Sequence, residues 1–259
     1  SRLREKFNDD LFIRTGSGMV PTQKTENIIK DIQNALTLMQ LSVNEPDTFD
    51  PKVSKRKFKL SLGDVSEGRV LPFIMNEIDK KAPNVALGSY AYSRSDQVHA
   101  LATNNLDFVV DPVIPASNEI DSFKVFEDDW VAMHRDGHHI ANIENVTIED
   151  ILNQRHLHVS NRRRGLHLID LELDKIGFRR EVALRCQHFL IAPQILRSTD
   201  LVLMGTRSFA IANNLPFIEV PIEIPSMEYF LIWHKSDEGD GGHLWMKDLI
   251  IKAFIDAKK

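Results

Sequence analysis

Histidines raise the first chemical question in this sequence. His134 and His138 stand four residues apart, with His139, Asp136 and Glu144 nearby. On one helix face, that spacing lets two imidazoles hold zinc. The intervening Arg135-Asp136-Gly137 reads as a turn, which breaks the helix such a site needs, so a surface loop is expected. His156 and His158 share one strand face, but no carboxylate falls at a matching spacing. Cys186 and His188, two apart on a strand, do not by themselves make a nucleophile and its base. A buried, small apolar role is expected for the cysteine. Gly16-Ser17-Gly18 lacks the length and the lysine of a phosphate loop, and Gly239–Gly242 is too irregular for one. No catalytic constellation, metal site or cofactor site emerges, and the chain is not expected to be an enzyme.

Residues suited to binding are easier to find. Asp64 and Glu67 stand as D-x-x-E before an apolar helical run, where Asp64 can accept backbone N–H groups as a capping box. Arg162-Arg163-Arg164 is either a solvated loop or a guanidinium clamp for a carboxylate or phosphate. Asp111-Pro112 marks a turn. Arg14 carries five donors into a glycine turn, a placement that suits a phosphate or a narrow minor groove.

These residues are positioned by a simple order of elements. Leu3 and Phe7 share the face of a helix that ends before Leu11-Phe12-Ile13, a β-prone run. Gly16 and Gly18 then supply the positive φ of a hairpin. Next comes a helix with Ile28, Ile32, Ala35 and Met39 at 4-3-4 spacing, a stripe that seeks a partner helix. Asn44–Pro51 stops it with two prolines, and the basic run Lys52–Lys59 reads as a solvated tether. From Phe58 onward strands and helices alternate: 58–62, 64–81, 85–90, 95–106 and 108–110. A second series follows: a lead-in over 125–133, then 147–153, 156–160, 166–176 with Gly177 as its stop, 179–185, 192–196, 201–204 and 208–213. Strand 229–234 and helix 243–257 close the chain and are expected to return to the first series. Such alternation implies parallel strands joined by crossovers.

Composition sets wider bounds. The 259 residues are 42% hydrophobic and 27% charged, with a net charge of −5, so they can build sizeable cores and carry no overall attraction for nucleic acid. One cysteine excludes an intramolecular disulfide and a cysteine-rich zinc site. No apolar run approaches a membrane span and no signal peptide opens the chain, so a cytoplasmic protein without membrane contact is expected.

LREKFNDDLFIRTGSGMVPT at the start resembles the end of the winged helix-turn-helix of LysR-type transcriptional regulators. The branch is the one that includes nodulation, salicylate- and dinitrotoluene-responsive regulators. Asp64–Glu67 with Leu71-Pro72, His188–Pro193 with Ser198–Leu201, and FLIWHKSDEGDGGHLW resemble later segments of the same family. Two departures stand out: Asp240-Gly241 where the family reads Asp-Pro, and Met246-Lys247 where it reads Leu-Arg.

The resemblance implies an α/β architecture with two Rossmann-like lobes, a type II periplasmic-binding-protein-like effector domain behind a winged-helix remnant and a long linker helix. The implied segments are 1–22 for the remnant, 23–53 for the linker and tether, and 54–259 for the effector domain. Lobe I would span about 54–124 and 230–259, and lobe II about 125–229. About 40 further residues of the winged domain are expected upstream, with most of the DNA-reading helix, so that this segment alone should not read a DNA sequence.

Carried over by position, the effector site is Asp64, Ser66, Ser93, Asp111, Asn161, Arg162, His188, Gly205 and Thr206. His188 is the best match to a ligand-contacting histidine. Arg14 would touch DNA backbone, and Ile28, Ile32, Ala35 and Met39 would form the dimer. The implied partners are a small effector, anionic or an aromatic acid, promoter DNA for the full-length protein, and further copies in a homodimer or homotetramer. A stand-alone solute-binding protein of the same bilobal fold is the alternative. The wing remnant and the unpaired helical stripe distinguish the two, since a solute receptor needs neither.

Overall fold

The computed structural model describes residues 2–16, 18–44, 49–160 and 167–257, with the backbone alone for 37–44. The chain divides into two compact units, Ser1–Thr48 and Phe49–Lys259.

The first unit runs α1 (Arg2–Phe7), β1 (Phe12–Thr15), β2 (Gly18–Pro21) and α2 (Gln23–Asn44). The two strands form an antiparallel hairpin with Arg14 opposite Met19, and Arg14 is exposed. Gly18 has the left-handed backbone expected of it, at φ 127°, but Gly16 does not share that conformation. Thr25 is buried, and its hydroxyl donates to the Leu11 carbonyl at 2.7 Å, which ties the helix to the hairpin. Along α2, Ile29, Ile32 and Leu36 are exposed, as is Ala35, while Ile28 is half-buried. The Met39 side chain lies outside the described residues.

The second unit opens with β3 (Lys57–Ser61), α3 (Asp64–Lys81), β4 (Ala86–Ser89), α4 (Arg94–Ala102), β5 (Phe108–Asp111) and β6 (Ile120–Asp128). It continues through β7 (Trp130–Met133), α5 (Ile148–Leu152), β8 (Arg155–Val159), α6 (Leu168–Lys175), β9 (Glu181–Cys186) and α7 (Ala192–Ser198). The last elements are β10 (Leu203–Thr206), α8 (Arg207–Ala212), β11 (Phe217–Glu219), β12 (Met227–His234) and α9 (Gly241–Asp256).

The first sheet has the order β4-β3-β5-β12-β6. β3 is parallel to β4 and β5, whereas β12 is antiparallel to β5 and β6. Val70, Ile74 and Ile78 recur every fourth residue on α3 and bury one stripe against Phe58, Leu60 and the apolar face of α9. The second sheet repeats this plan. β9 and β8 are parallel, and a bridge from His156 to Val202 joins them to the series β10-β7-β11. Leu157 N–H donates to Val202 O at 2.9 Å, and Val202 N–H to Arg155 O at 3.0 Å. In each lobe, therefore, three parallel strands are followed by one running the other way.

The expected lead-in over 125–133 is cut in two. β6 belongs to the first sheet and β7 to the second, with Asp129 between them. β12 pairs with β6 from His234 opposite Ile120 to Met227 opposite Asp128, with an irregularity between Tyr229 and Phe230. Met227, Glu228 and Tyr229 pair with β6 alone, so a two-stranded ribbon extends beyond the sheet.

Local expectations fare unevenly. Gly177 ends α6 in the left-handed conformation at φ 83°, with Phe178 N–H returning to Leu173 O. The Asp64–Glu67 capping box does not form. Gly63 occupies the cap position, and Glu67 accepts the Ser89 hydroxyl at 2.5 Å instead. His134 and His138, expected on a surface loop, are buried at 3% and 0% exposure: His134 continues β7 and its N–H donates to Pro216 O at 3.0 Å, and His138 caps the 3-10 turn His139–Asn142. His138 Nδ1 accepts Ile140 N–H at 3.2 Å, and burial pulls its pKa down. Residues 49–53, read as tether, pack within the α/β unit, where the Phe49 ring lies 5.3 Å from that of Trp245.

Candidate effector cleft

Parallel strands end with their carboxyl termini, and the loops that follow, on one edge of a sheet, which is where such sheets bind ligands. In this chain the corresponding edges of the two sheets meet at the crossing strands β6 and β12. Asp64 starts α3 directly after β3. Its Oδ1 accepts Val65 N–H at 3.1 Å, and its Oδ2 accepts Phe189 N–H, from the loop after β9, at 2.6 Å. His188 precedes that amide and is exposed.

Behind this contact lies a cavity of about 10 Å³. Ser66 from α3 and Thr206 from the end of β10 face it from opposite lobes, and both are buried. Arg69, Asp128, Ser208 and Tyr229 complete its polar wall, with Val65, Phe126 and Phe254 as the apolar part. The Asp128 carboxylate accepts both the Ser208 hydroxyl and its amide, the latter at 3.2 and 3.3 Å. Arg69 lies over the Phe126 ring at 3.9 Å and donates to Ala257 O at 3.0 Å, while its Nε is buried without a hydrogen-bond partner. Burial lowers the Arg69 pKa against the opposing pull of Asp128. Burial also raises the Tyr229 phenol, with Asp128 and Asp111 adding to the effect.

The residues expected at the site therefore fall into separate groups. Ser66 and Thr206 converge on the cavity, and Asp64 meets the residue next to His188. Ser93 stands at the cap position of α4, beyond β4, and Asp111 ends β5. There Asp111 is held by Arg94 at 2.6 Å and accepts Val113 N–H at 2.8 Å, so the turn reading accounts for it. The Ser93 hydroxyl bonds to Asp96 at 2.6 Å. Gly205 is buried in β10, where a Cβ would stand 2.6 Å from Met133 Cε, so packing accounts for this glycine. Asn161 and Arg162 lie outside the described residues.

Arg69, Asp128, Ser208 and Tyr229 were not anticipated. Arg69 had a signal, since it stands three residues after Ser66 on the same helix face. The Asp128-Asp129 doublet between two apolar runs was another. The cavity wall offers hydrogen-bond donors and acceptors beside an aromatic face. Among the described residues no group of three or more side chains could hold a metal ion, and no helix is long and apolar enough to cross a membrane.

The family model for the LysR substrate binding domain matches residues 52–254. The chain belongs to the LysR family of transcriptional regulators. Among curated LysR-type proteins, the HTH-type transcriptional activator NagR of a Ralstonia species is 26% identical, over 99% of this chain and 86% of that protein. The crystal structure of the probable transcriptional regulator PA0477 from Pseudomonas aeruginosa superposes with a TM-score of 0.72 at 30% identity, covering 96% of this chain and 85% of that one. The effector-binding domain of QuiR in complex with shikimate has a TM-score of 0.65 at 12% identity, over 78% of this chain and 99% of that one, and shares the fold. The two-lobed α/β unit is thus a LysR effector domain with the type II periplasmic-binding-protein-like fold.

Proposed function

We propose that this LysR-type regulator senses a small acidic effector in the cleft between its lobes, and that occupancy of the cleft resets the arrangement of a homo-oligomer on promoter DNA. The observation that carries the reading is the convergence of buried Ser66 and Thr206, from opposite lobes, on a cavity that also contains Arg69 and Asp128. A ligand touching both lobes binds one closure better than another, and that differential affinity is the source of the signal.

Within this reading, residues 1–22 are the wing end of the DNA-binding domain with Arg14 toward the phosphate backbone. Residues 23–48 link and dimerise, and residues 49–259, which include the stretch first read as tether, sense the effector. The place of action is the cytoplasm, where promoter DNA is. The complex of QuiR with shikimate supports a hydroxylated carboxylic acid as a first candidate class.

The test is thermal melting against shikimate, benzoate and other small carboxylates. A ligand at about 100 times its Kd stabilises the fold by roughly 2.7 kcal/mol. The shift should disappear in Ser66→Ala and Thr206→Val while the ligand-free melts stay in place. A ligand whose shift survives both substitutions binds elsewhere, and the reading of this cleft then fails.

A further inference from the structure

Two residues of α3 reach across to lobe II. Asp64 and Phe189 are 125 positions apart and belong to different lobes, yet Asp64 Oδ2 accepts the Phe189 amide at 2.6 Å. A hydrogen bond to an ionised acceptor is about twice as strong as a neutral one. Val65, the next residue, packs against the apolar core of lobe II, alongside Phe189 and Phe209, whose rings meet edge to face at 5.3 Å. Lobe I thus inserts a carboxylate and an adjoining apolar group into lobe II. The cavity behind them, about 10 Å³, has room for roughly one water.

We propose that Asp64 and Val65 are a built-in latch that holds the lobes shut, and that an effector must displace the Asp64 carboxylate from the Phe189 amide to enter. This deepens the effector reading above and rests on it. Asp64 then competes with the effector, and the effector group that replaces it is itself a hydrogen-bond acceptor set against an apolar body. Latch and occupant exclude one another, so release of the latch and entry of the effector are a single event.

The experiment needs no ligand. Spin labels on Ser95→Cys and Gln194→Cys, in a Cys186→Ser background, report the distance between the lobes. Hydrogen exchange reports the Phe189 amide. With Asp64 intact, one narrow distance is expected. Asp64→Ala should lengthen and broaden the distribution and speed exchange at Phe189 by roughly tenfold. Asp64→Asn, which keeps an acceptor without its charge, should fall between the two. Circular dichroism verifies that each variant is folded, and should Asp64→Ala not fold, the comparison rests on Asp64→Asn. An unchanged distance in the variants overturns the latch, as does a broad distribution with Asp64 intact. If the distance responds but no carboxylate shifts the melt, the latch stands and the effector reading is what has failed.

Discussion

The Arg56 guanidinium donates to the Asp240 carboxylate at 2.5 Å and so fastens the segment before β3 to the start of α9. Asp240 also caps that helix through His243 N–H at 2.7 Å. The seat beneath is Gly242, where a Cβ would stand 2.8 Å from both Arg56 Nη1 and Phe49 Cδ2. Gly242→Val is therefore expected to lift residues 49–56 off α9, at an overpacking cost of about 1–3 kcal/mol. Hydrogen exchange should quicken across 49–56 while β3 and β5 stay protected. Equal protection in the two proteins would refute the seat.

Gly205→Ala examines a second close approach. Met133 is fully buried, and its terminal methyl would meet the new Cβ at 2.6 Å. The substitution should lower stability by about 1–3 kcal/mol, or several degrees in Tm. A melt equal to that of the parent would show that the core around Met133 gives way freely.

His156 makes stability depend on pH. Burial, and next the Arg180 guanidinium, lower its pKa from 6.5 to about 4. In the window between those values the unfolded chain binds the extra proton, so stability rises with pH. The contribution is complete above pH 6.5 and is lost as pH falls through the window to about 4, amounting to roughly 3 kcal/mol at 1.36 kcal/mol per pH unit. His138 and His243 are shifted in the same direction. His156→Gln retains a donor for the Ile151 carbonyl, which His156 Nε2 meets at 3.0 Å, and removes the titration. Denaturant melts from pH 7 to pH 4 should be flatter for the variant, and parallel curves would rule His156 out as the source.

The stripe on α2 bears on assembly. Ile29, Ile32 and Leu36 are exposed apolar side chains on one long helix, an arrangement that suits pairing with a second copy. Ile32→Asp should weaken self-association at least tenfold, the effect of about 1.4 kcal/mol. Sedimentation across a concentration series measures this, and an unchanged association constant would remove the stripe from the interface.

Much of this architecture could be read from sequence because apolar blocks and breakers alternate so regularly. The hairpin, the long helix and the ending of α6 at Gly177 all follow from local physics. Strand direction does not. Nothing within Trp130–Met133 or Met227–His234 tells either strand to run against its neighbours, because that depends on partners far along the chain. The cavity was half legible. Ser66 and Thr206 follow strands at the edge where such sheets bind ligands, but Asp128 acquires its role only when Ser208, 80 residues later, folds onto it. His134 and His138 were misread because a polar, glycine-containing stretch gives no local sign that tertiary packing will cover it.

The two-stranded ribbon gives the lobes an unusual suspension. Beyond the first sheet, Met227–Tyr229 have β6 as their sole strand partner. Two-stranded ribbons carry a larger twist than wide sheets do. Any turn of one lobe on the other must therefore wind or unwind this strip, which joins them as a torsion element rather than as a free hinge.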